Sequence, residues 1–336
     1  MLRITGKVGE GMKKDQPFSR QKTPMTTSEK DSLIWNTEYQ QETKQIKQDP
    51  AMLTEIAERI TSASKEMEIF FKQVRGGGDI PLVVIEEKII PIIKQAVEIP
   101  HIYHLFYELT EKEQYTYRHP ISVGIIATLI GKWLKVKDED LEELILGALL
   151  HDIGKALVPA NILNKAGKLT REEYEIMCNH TVYGYNLLKN TNGISDNVAL
   201  IALQHHERED GNGYPIGLKG PQISYLAKIV AIADVFHAMS SPKVYHEALP
   251  FYGIIKQMEE DAFGKLDPTI VLTFLNKMMN SLVGKKVLLS DGSIGTIVLI
   301  NPYDPIRCLV QTEYHLVDLK YNHQLIIERI LEDTTK

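Results

Sequence analysis

The chain has 336 residues, of which 43% are hydrophobic and 24% charged, and its formal net charge is −6. At ~150 residues per domain this length suggests roughly two to three domains with sizeable cores, and the acidic balance supplies no basic field to recruit DNA, RNA or an anionic membrane surface. A phosphate-bearing ligand would have to meet positive charge locally. Cys178 and Cys308 stand far apart, which argues against a disulfide framework and a thiolate zinc site and suits a reducing cytoplasm. Neither a signal-peptide core nor a run of ~18 apolar residues occurs, so the sequence predicts neither secretion nor a membrane span.

Residues 1–45 are polar and read as a disordered tail, with a basic beginning at Lys13, Lys14, Arg20 and Lys22 that is better taken as solvated than as an anion-docking arm. From Asp49, apolar residues at 53, 56, 60, 67, 70, 71 and 74 follow helical spacing until the glycines at 76–78. A second, strongly apolar helical stretch covers residues 80–109, with Pro91 and Pro100 as kinks or boundaries. Residues 46–110 are therefore predicted to be a helical accessory or dimerisation region, and the apolar helices between Ile80 and Leu109 favour a homodimer. His101 and His104 there, three apart, are taken as ordinary histidines over a metal-binding pair.

At Glu111 the chain enters a further helical region. His119 precedes an apolar helix whose first turn would accept Pro120, and by itself it reads as a capping or surface residue. The next helix opens with acidic residues, as the helix dipole favours, and ends in His151 and Asp152 within LILGALLHDIGK, residues 144–155. An imidazole and a carboxylate at the end of a buried helix are costly unless satisfied. Two readings stand open for the pair alone, a hydrogen-bonded couple under a loop or two ligands of one cation.

Thr170 and Glu173 form a capping box, which predicts one helix over residues 171–188 with His180 inside it. A further helix, SDNVALIALQHHERED, ends in His205 and His206. The loop DGNGYPIGLKG, with four glycines and a proline, can bring its backbone close to a ligand. ISYLAKIVAIADVFHAMS is an apolar helix with Asp234 as its one acidic residue, and lone buried carboxylates are rare. Helices near 250–260 and 268–279 close the region, and residues 282–336 change to strand period with an Asp-Gly turn, predicting a small all-β appendix of about five strands.

Seven N and O donors, His119, His151, Asp152, His180, His205, His206 and Asp234, thus stand at ends or faces of apolar helices. One such residue has an ordinary explanation, but seven together fit a two-metal site of nitrogen and oxygen ligands, with iron or manganese as the expected ions. Two cations ~3.5–4 Å apart can stabilise attacking and leaving oxygens of a phosphoryl displacement. Phosphodiester hydrolysis is the natural reaction.

HDIGK, NILNKAGKLTREEYEIMCNH, HHEREDGNGYPIGLKG and IADVFHAMSS, in that order, resemble the HD-GYP family of bacterial phosphodiesterases over about residues 111–280. The resemblance implies a mainly α fold: an HD-type helical bundle at 111–281 that hydrolyses cyclic di-GMP to pGpG, and in some members on to GMP. It implies that Asp152 bridges two divalent transition metal ions, one held with His119, His151 and Asp234 and the other with His180, His205 and His206. Lys155 would neutralise a phosphate or polarise the water, and Gly213, Tyr214 and Pro215 would form the GYP loop, seating a base or docking a signalling domain. Tyr115 stands where members with a third metal carry Glu, which favours two metals. Lys243 and His246 replace an Arg and a basic residue linked to the substrate phosphates, and Lys is the poorer bidentate donor. That departure keeps two alternatives in view: a weakly active receptor or adaptor for cyclic di-GMP, and a phosphodiesterase for another cyclic dinucleotide.

Overall fold

The computed structural model describes residues 50–99, 115–240 and 251–331. The polar tail at 1–45, His101, His104, Pro100, Lys243 and His246 lie outside the described residues. Residues 48–336 belong to one compact unit, mainly α-helical, with a small antiparallel sheet at its C-terminal end.

Helix α1, Pro50–Arg75, buries Ile56, Ile60, Met67, Phe70 and Val74 along one stripe and keeps the ion pairs Glu55–Arg59 and Glu68–Lys72 outside. It stops at Gly77, whose φ of +84° is the left-handed conformation that ends helices. Next come Leu82–Val84, a π turn at Ile85–Ile89 and Ile90–Ala96, together called α2. The π turn ends at Ile89, two residues before Pro91, which has no N–H to continue an α ladder.

Helix α3, Tyr115–Trp133, is the centre of the bundle, and every residue from Arg118 to Gly131 is buried. Here the structure corrects the sequence reading: His119 does not precede the helix, and Pro120 lies inside it. As the sixth residue of α3, Pro120 lies past the first turn, so its missing N–H costs the helix one i→i−4 bond, that to the carbonyl of residue 116. His119 is buried at 6% exposure and not a surface residue. The side chain of Tyr115 lies outside the described set.

Helix α4, Asp138–Leu150, packs on α3. A 3₁₀ turn at Ile153–Leu157, the short α5, Ala160–Leu163, and α6, Arg171–Cys178, follow. The capping box of Thr170 and Glu173 is present. The single helix expected over 171–188 is instead two, α6 and α7, His180–Lys189, broken at Asn179. The carbonyls of Met177 and Cys178 are taken by the His180 ring at 2.8 Å and the Thr181 hydroxyl at 2.9 Å. Side chains that compete for backbone carbonyls weaken the helical ladder, which accounts for the hitch.

Helices α8, Asp196–Gln204, α9, Tyr225–Ser240, α10, Phe251–Ala262, and α11, Pro268–Asn280, complete the bundle. The sheet comprises β1, Lys286–Leu289, β2, Ile294–Asn301, β3, Asp304–Thr312, β4, Leu316–Asp318, and β5, Ile327–Leu331, in the order β4-β3-β2-β1-β5. It leans on α10 and α11, where the Tyr252 hydroxyl donates to the Ile306 carbonyl at 3.0 Å.

Candidate functional site

Each donor comes from a helix end or face fixed by packing. His151 caps α4, and Asp152 opens the 3₁₀ turn behind it. That turn must lie hard against α7: a Cβ built on Gly154 would meet the His180 carbonyl oxygen at 1.9 Å and the Gly184 nitrogen at 2.4 Å. Only glycine allows that approach, which brings Asp152 and His180 together. His205 caps α8 with His206 after it, α3 supplies His119, and α9 supplies Asp234.

The seven predicted donors are therefore gathered in one place, and they fall into two groups of converging atoms: Asp152, His180, His205 and His206, and His119, His151 and Asp234. Within each group the candidate ligand atoms lie within 4.8 Å of one another. Asp152 stands between the groups. Its Oδ2 is 3.3 Å from His151 Nε2 and 3.6 Å from His119 Nε2, while its Oδ1 is 3.3 Å from His180 Nε2 and 3.8 Å from His205 Nε2. Asp234 Oδ1 is 3.2 Å from His119 Nε2.

These contacts are close without being hydrogen bonds throughout: His151 Nε2 and Asp152 Oδ1 are buried with no hydrogen-bond partner. Meanwhile the Nδ1 atoms of His151, His180 and His205 face backbone carbonyls of Ala148, Met177 and Ala202 at 2.7, 2.8 and 3.0 Å. An Nδ1–H donated to a carbonyl leaves the Nε2 lone pair directed at the shared centre, the arrangement that orients metal-ligating histidines. Converging lone pairs around orphaned buried atoms fit a bound cation, and this His/Asp cluster could hold metal.

Electrostatics agree. Burial pushes His206 down to about 3, and burial together with the surrounding imidazoles puts His205 well below its usual range, so both are neutral. Burial also lowers His119 against the pull of Asp234. His151 moves upward, because Asp152 outweighs burial. For Asp152, burial is overcome by Lys155 and His151, and for Asp234 by His119 and its neighbours, so both carboxylates stay ionised. Lys155 donates to Asp152 Oδ2 at 2.5 Å, and its ammonium is held above the usual range despite burial.

The glycine-rich loop closes one side. A Cβ on Gly213 would meet the His206 carbonyl and the Glu207 Cα at 2.5 Å, so the loop lies on the backbone of the histidine pair. Tyr214 stacks on His206, with ring centroids 4.6 Å apart and planes at 29°, and Pro215 follows it in the turn. Glu207, which sequence reasoning passed over, is buried and accepts the N–H groups of Ile216, Gly217 and Leu218 at 2.8, 3.2 and 2.8 Å. Its place directly after the histidine pair was the available signal. His237 was also missed; it lies 2.9 Å from His119 Nδ1 and one helical turn beyond Asp234. Lys155, His206 and Tyr214 face a cleft of about 640 Å³, which also touches Phe71, Lys72 and Arg75 of α1.

A helical bundle that brings a His-Asp pair from the end of a buried helix, with further histidines and an aspartate closing round it, defines an HD-type domain. The family model described as HD domain matches residues 103–270, and the chain belongs to that family. A cyclic di-GMP phosphodiesterase of Pseudomonas aeruginosa is 36% identical over 190 residues, 56% of this chain and 46% of that protein. One of Thermotoga maritima is 38% identical over 179 residues, 53% and 48% of the two chains. The 3′3′-cGAMP-specific phosphodiesterase 3 of Vibrio cholerae is 36% identical over 171 residues, 51% and 37%. The chain spans about half or less of the length of these relatives. Bd1817, an HDG"Y"P protein from Bdellovibrio bacteriovorus, shares the fold, with a TM-score of 0.52 at 19% identity over 76% of this chain and 81% of that one. Among the described residues no helix is long and apolar enough to cross a membrane.

Proposed function

We propose that the protein is a metal-dependent phosphodiesterase of cyclic dinucleotides in the bacterial cytoplasm, acting on cyclic di-GMP to give pGpG, with GMP as a further product. The observation that carries the reading is Asp152, one carboxylate oxygen toward each of two groups of converging donors. In this reading His119, His151 and Asp234 would hold one divalent ion, iron or manganese, and His180, His205 and His206 another, with Asp152 available to both groups. When bound, such a pair lowers the pKa of water and takes up charge on phosphate oxygens. Asp152 orients Lys155, whose ammonium neutralises a phosphate oxygen in the transition state. Tyr214, braced on His206, seats a base.

The relatives named for cyclic di-GMP and for 3′3′-cGAMP favour a substrate panel over a single assay. Protein loaded anaerobically with iron or manganese should release pGpG from cyclic di-GMP, and Asp152→Ala or His180→Ala should lose both bound metal and turnover. Metal shown to be bound, with no turnover of any cyclic dinucleotide, would sink the enzyme reading. A signalling partner at the GYP loop, where Ile216 is 59% exposed, and a homodimer through the N-terminal helices, where Val83 is 62% exposed, belong to the same proposal. Light scattering of the purified chain tests the dimer.

A further inference from the structure

Helix α1 lies N-terminal to the region that the HD domain model matches, yet its last turn reaches the cleft. Phe71 packs edge-to-face on Tyr117, two residues before His119, at 6.0 Å. Arg75 donates to the backbone carbonyl of Lys155 at 3.2 Å, across eighty positions of sequence. The end of α1 is thus fixed beside the HDIGK stretch, and Lys72 and Arg75 line the same cleft as His119, Asp152 and Tyr214.

Basic residues at a helix C-terminus have an ordinary explanation, complementing the helix dipole. It does not account for this pair. The last carbonyls of α1 are taken by backbone: those of Lys72 and Val74 by Gly76 and Gly77, and that of Gln73 by Gly78, each at 3.0 Å. Arg75 reaches instead to the carbonyl of another element. Lys72 pairs with Glu68 at 2.7 Å, a pair whose lysine side chain is 66% exposed, and exposed pairs of this kind are weak and easily exchanged for a better anion.

A cyclic dinucleotide carries two phosphodiesters, and the donor cluster with Lys155 can serve only the one being cleaved. The net charge of −6 offers no general positive field for the other. Lys155 is already engaged with Asp152 at 2.5 Å. Among the described residues lining the cleft, Lys72 and Arg75 are the remaining Lys or Arg side chains. We propose, resting on the phosphodiesterase reading above, that Lys72 and Arg75 of α1 form the subsite for the second, uncleaved phosphate of the substrate. Arg75 grips it through the planar fork that suits phosphate, and Lys72 adds a mobile point charge. The N-terminal helix is then part of the binding site, and its placement sets substrate affinity.

The test is steady-state kinetics on the metal-loaded full chain with cyclic di-GMP, for wild type, Lys72→Ala, Arg75→Ala, Arg75→Lys and the double alanine variant, with metal content and melting temperature measured alongside. The double variant should raise KM by about tenfold or more while kcat stays within about threefold, the pattern of lost binding that ground and transition states share. Arg75→Lys should recover part of the loss, and the wild-type KM should climb with salt more steeply than the variant's. Lys72→Ala separates binding from architecture, because the hydrogen bond from the end of α1 to the HDIGK stretch is made by Arg75, while Lys72 pairs with Glu68 on its own helix. KM within about twofold of wild type in the double variant overturns the subsite. So does a fall in kcat with loss of metal or a lower melting temperature at unchanged KM, since that marks Arg75 as a structural anchor only. Absence of wild-type turnover on every cyclic dinucleotide overturns the phosphodiesterase reading itself, an outcome distinct from turnover with unaltered KM.

Discussion

Neutral histidines around ionised carboxylates are what a cation site requires, and they also set how the metal-free protein responds to acid. His119, His205 and His206 are depressed below 6.5, His206 to about 3. A histidine whose pKa is lowered on folding binds its proton more readily in the unfolded chain, so stability rises with pH between the two values and is lost as pH falls through that window. His151, raised by Asp152, acts in the opposite sense, as one group against three. The urea midpoint of the metal-free protein should therefore fall progressively below about pH 6.5, and His206→Gln should flatten the decline. A flat profile from pH 7 to 4 would contradict the assignment. Glu207 allows a second test at this scale. Its carboxylate satisfies three loop N–H groups from a buried position, and each hydrogen bond to a charged group contributes roughly 1.5–3 kcal/mol. Glu207→Ala should cost about 3 kcal/mol or more in urea unfolding and weaken substrate capture by releasing Tyr214. Glu207→Gln, able to accept only through one oxygen, should fall between.

Between elements, the site depends on backbone approach. The 3₁₀ turn after Asp152 meets α7 where Gly154 faces the His180 carbonyl, and a methyl there has backbone on its far side and no rotamer of escape. Overpacking of this kind costs typically 1–3 kcal/mol, so Gly154→Ala should sit near about 3. It should also spread Asp152 from His180 and lower metal content on elemental analysis. Gly167→Ala, with nothing within 4 Å of the added Cβ, is the matched control and should stay within about 0.5 kcal/mol. The helices themselves were readable from apolar spacing and, at Thr170, from a capping box, whereas the cap at Asp267, which accepts from Thr269 and Ile270, was not singled out. The hitch at Asn179 was not, because it follows from where the His180 and Thr181 side chains turn, and a periodic pattern runs through it unchanged. Nor was the early start of α3, since a proline at 120 signals a first turn far more often than an interior position. The donor set could be gathered from sequence since histidines at helix ends are conspicuous; Glu207 and His237 were harder, because their roles lie in what they touch.

Across the whole unit, the buried residues of α1 and α2, of the HD bundle and of the inner face of the sheet belong to one continuous core. No boundary within residues 48–336 leaves one part a separately closed interior, so α1 is coupled to the donor cluster through packing as well as through Arg75. Helix and sheet should then unfold together. In a Trp35→Phe background, fluorescence of Trp133, which packs near Phe274 of α11, should report the same transition as far-UV circular dichroism. Metal should move that single transition. A ligand that binds only the folded state at a hundredfold its Kd adds about 2.7 kcal/mol. With an unfolding entropy of about 2.1 cal/mol/K per residue over a unit of this size, each occupied site should raise Tm by about 4–5 °C. Chelation should lower Tm by that amount for every ion removed, and manganese should restore it, whereas Asp152→Ala, which removes the carboxylate common to both donor groups, should be insensitive to either treatment. Equal melting temperatures for the chelated and the reloaded wild-type chain would show that the gathered histidines hold no ion, and separate fluorescence and dichroism transitions would show that the core is not shared.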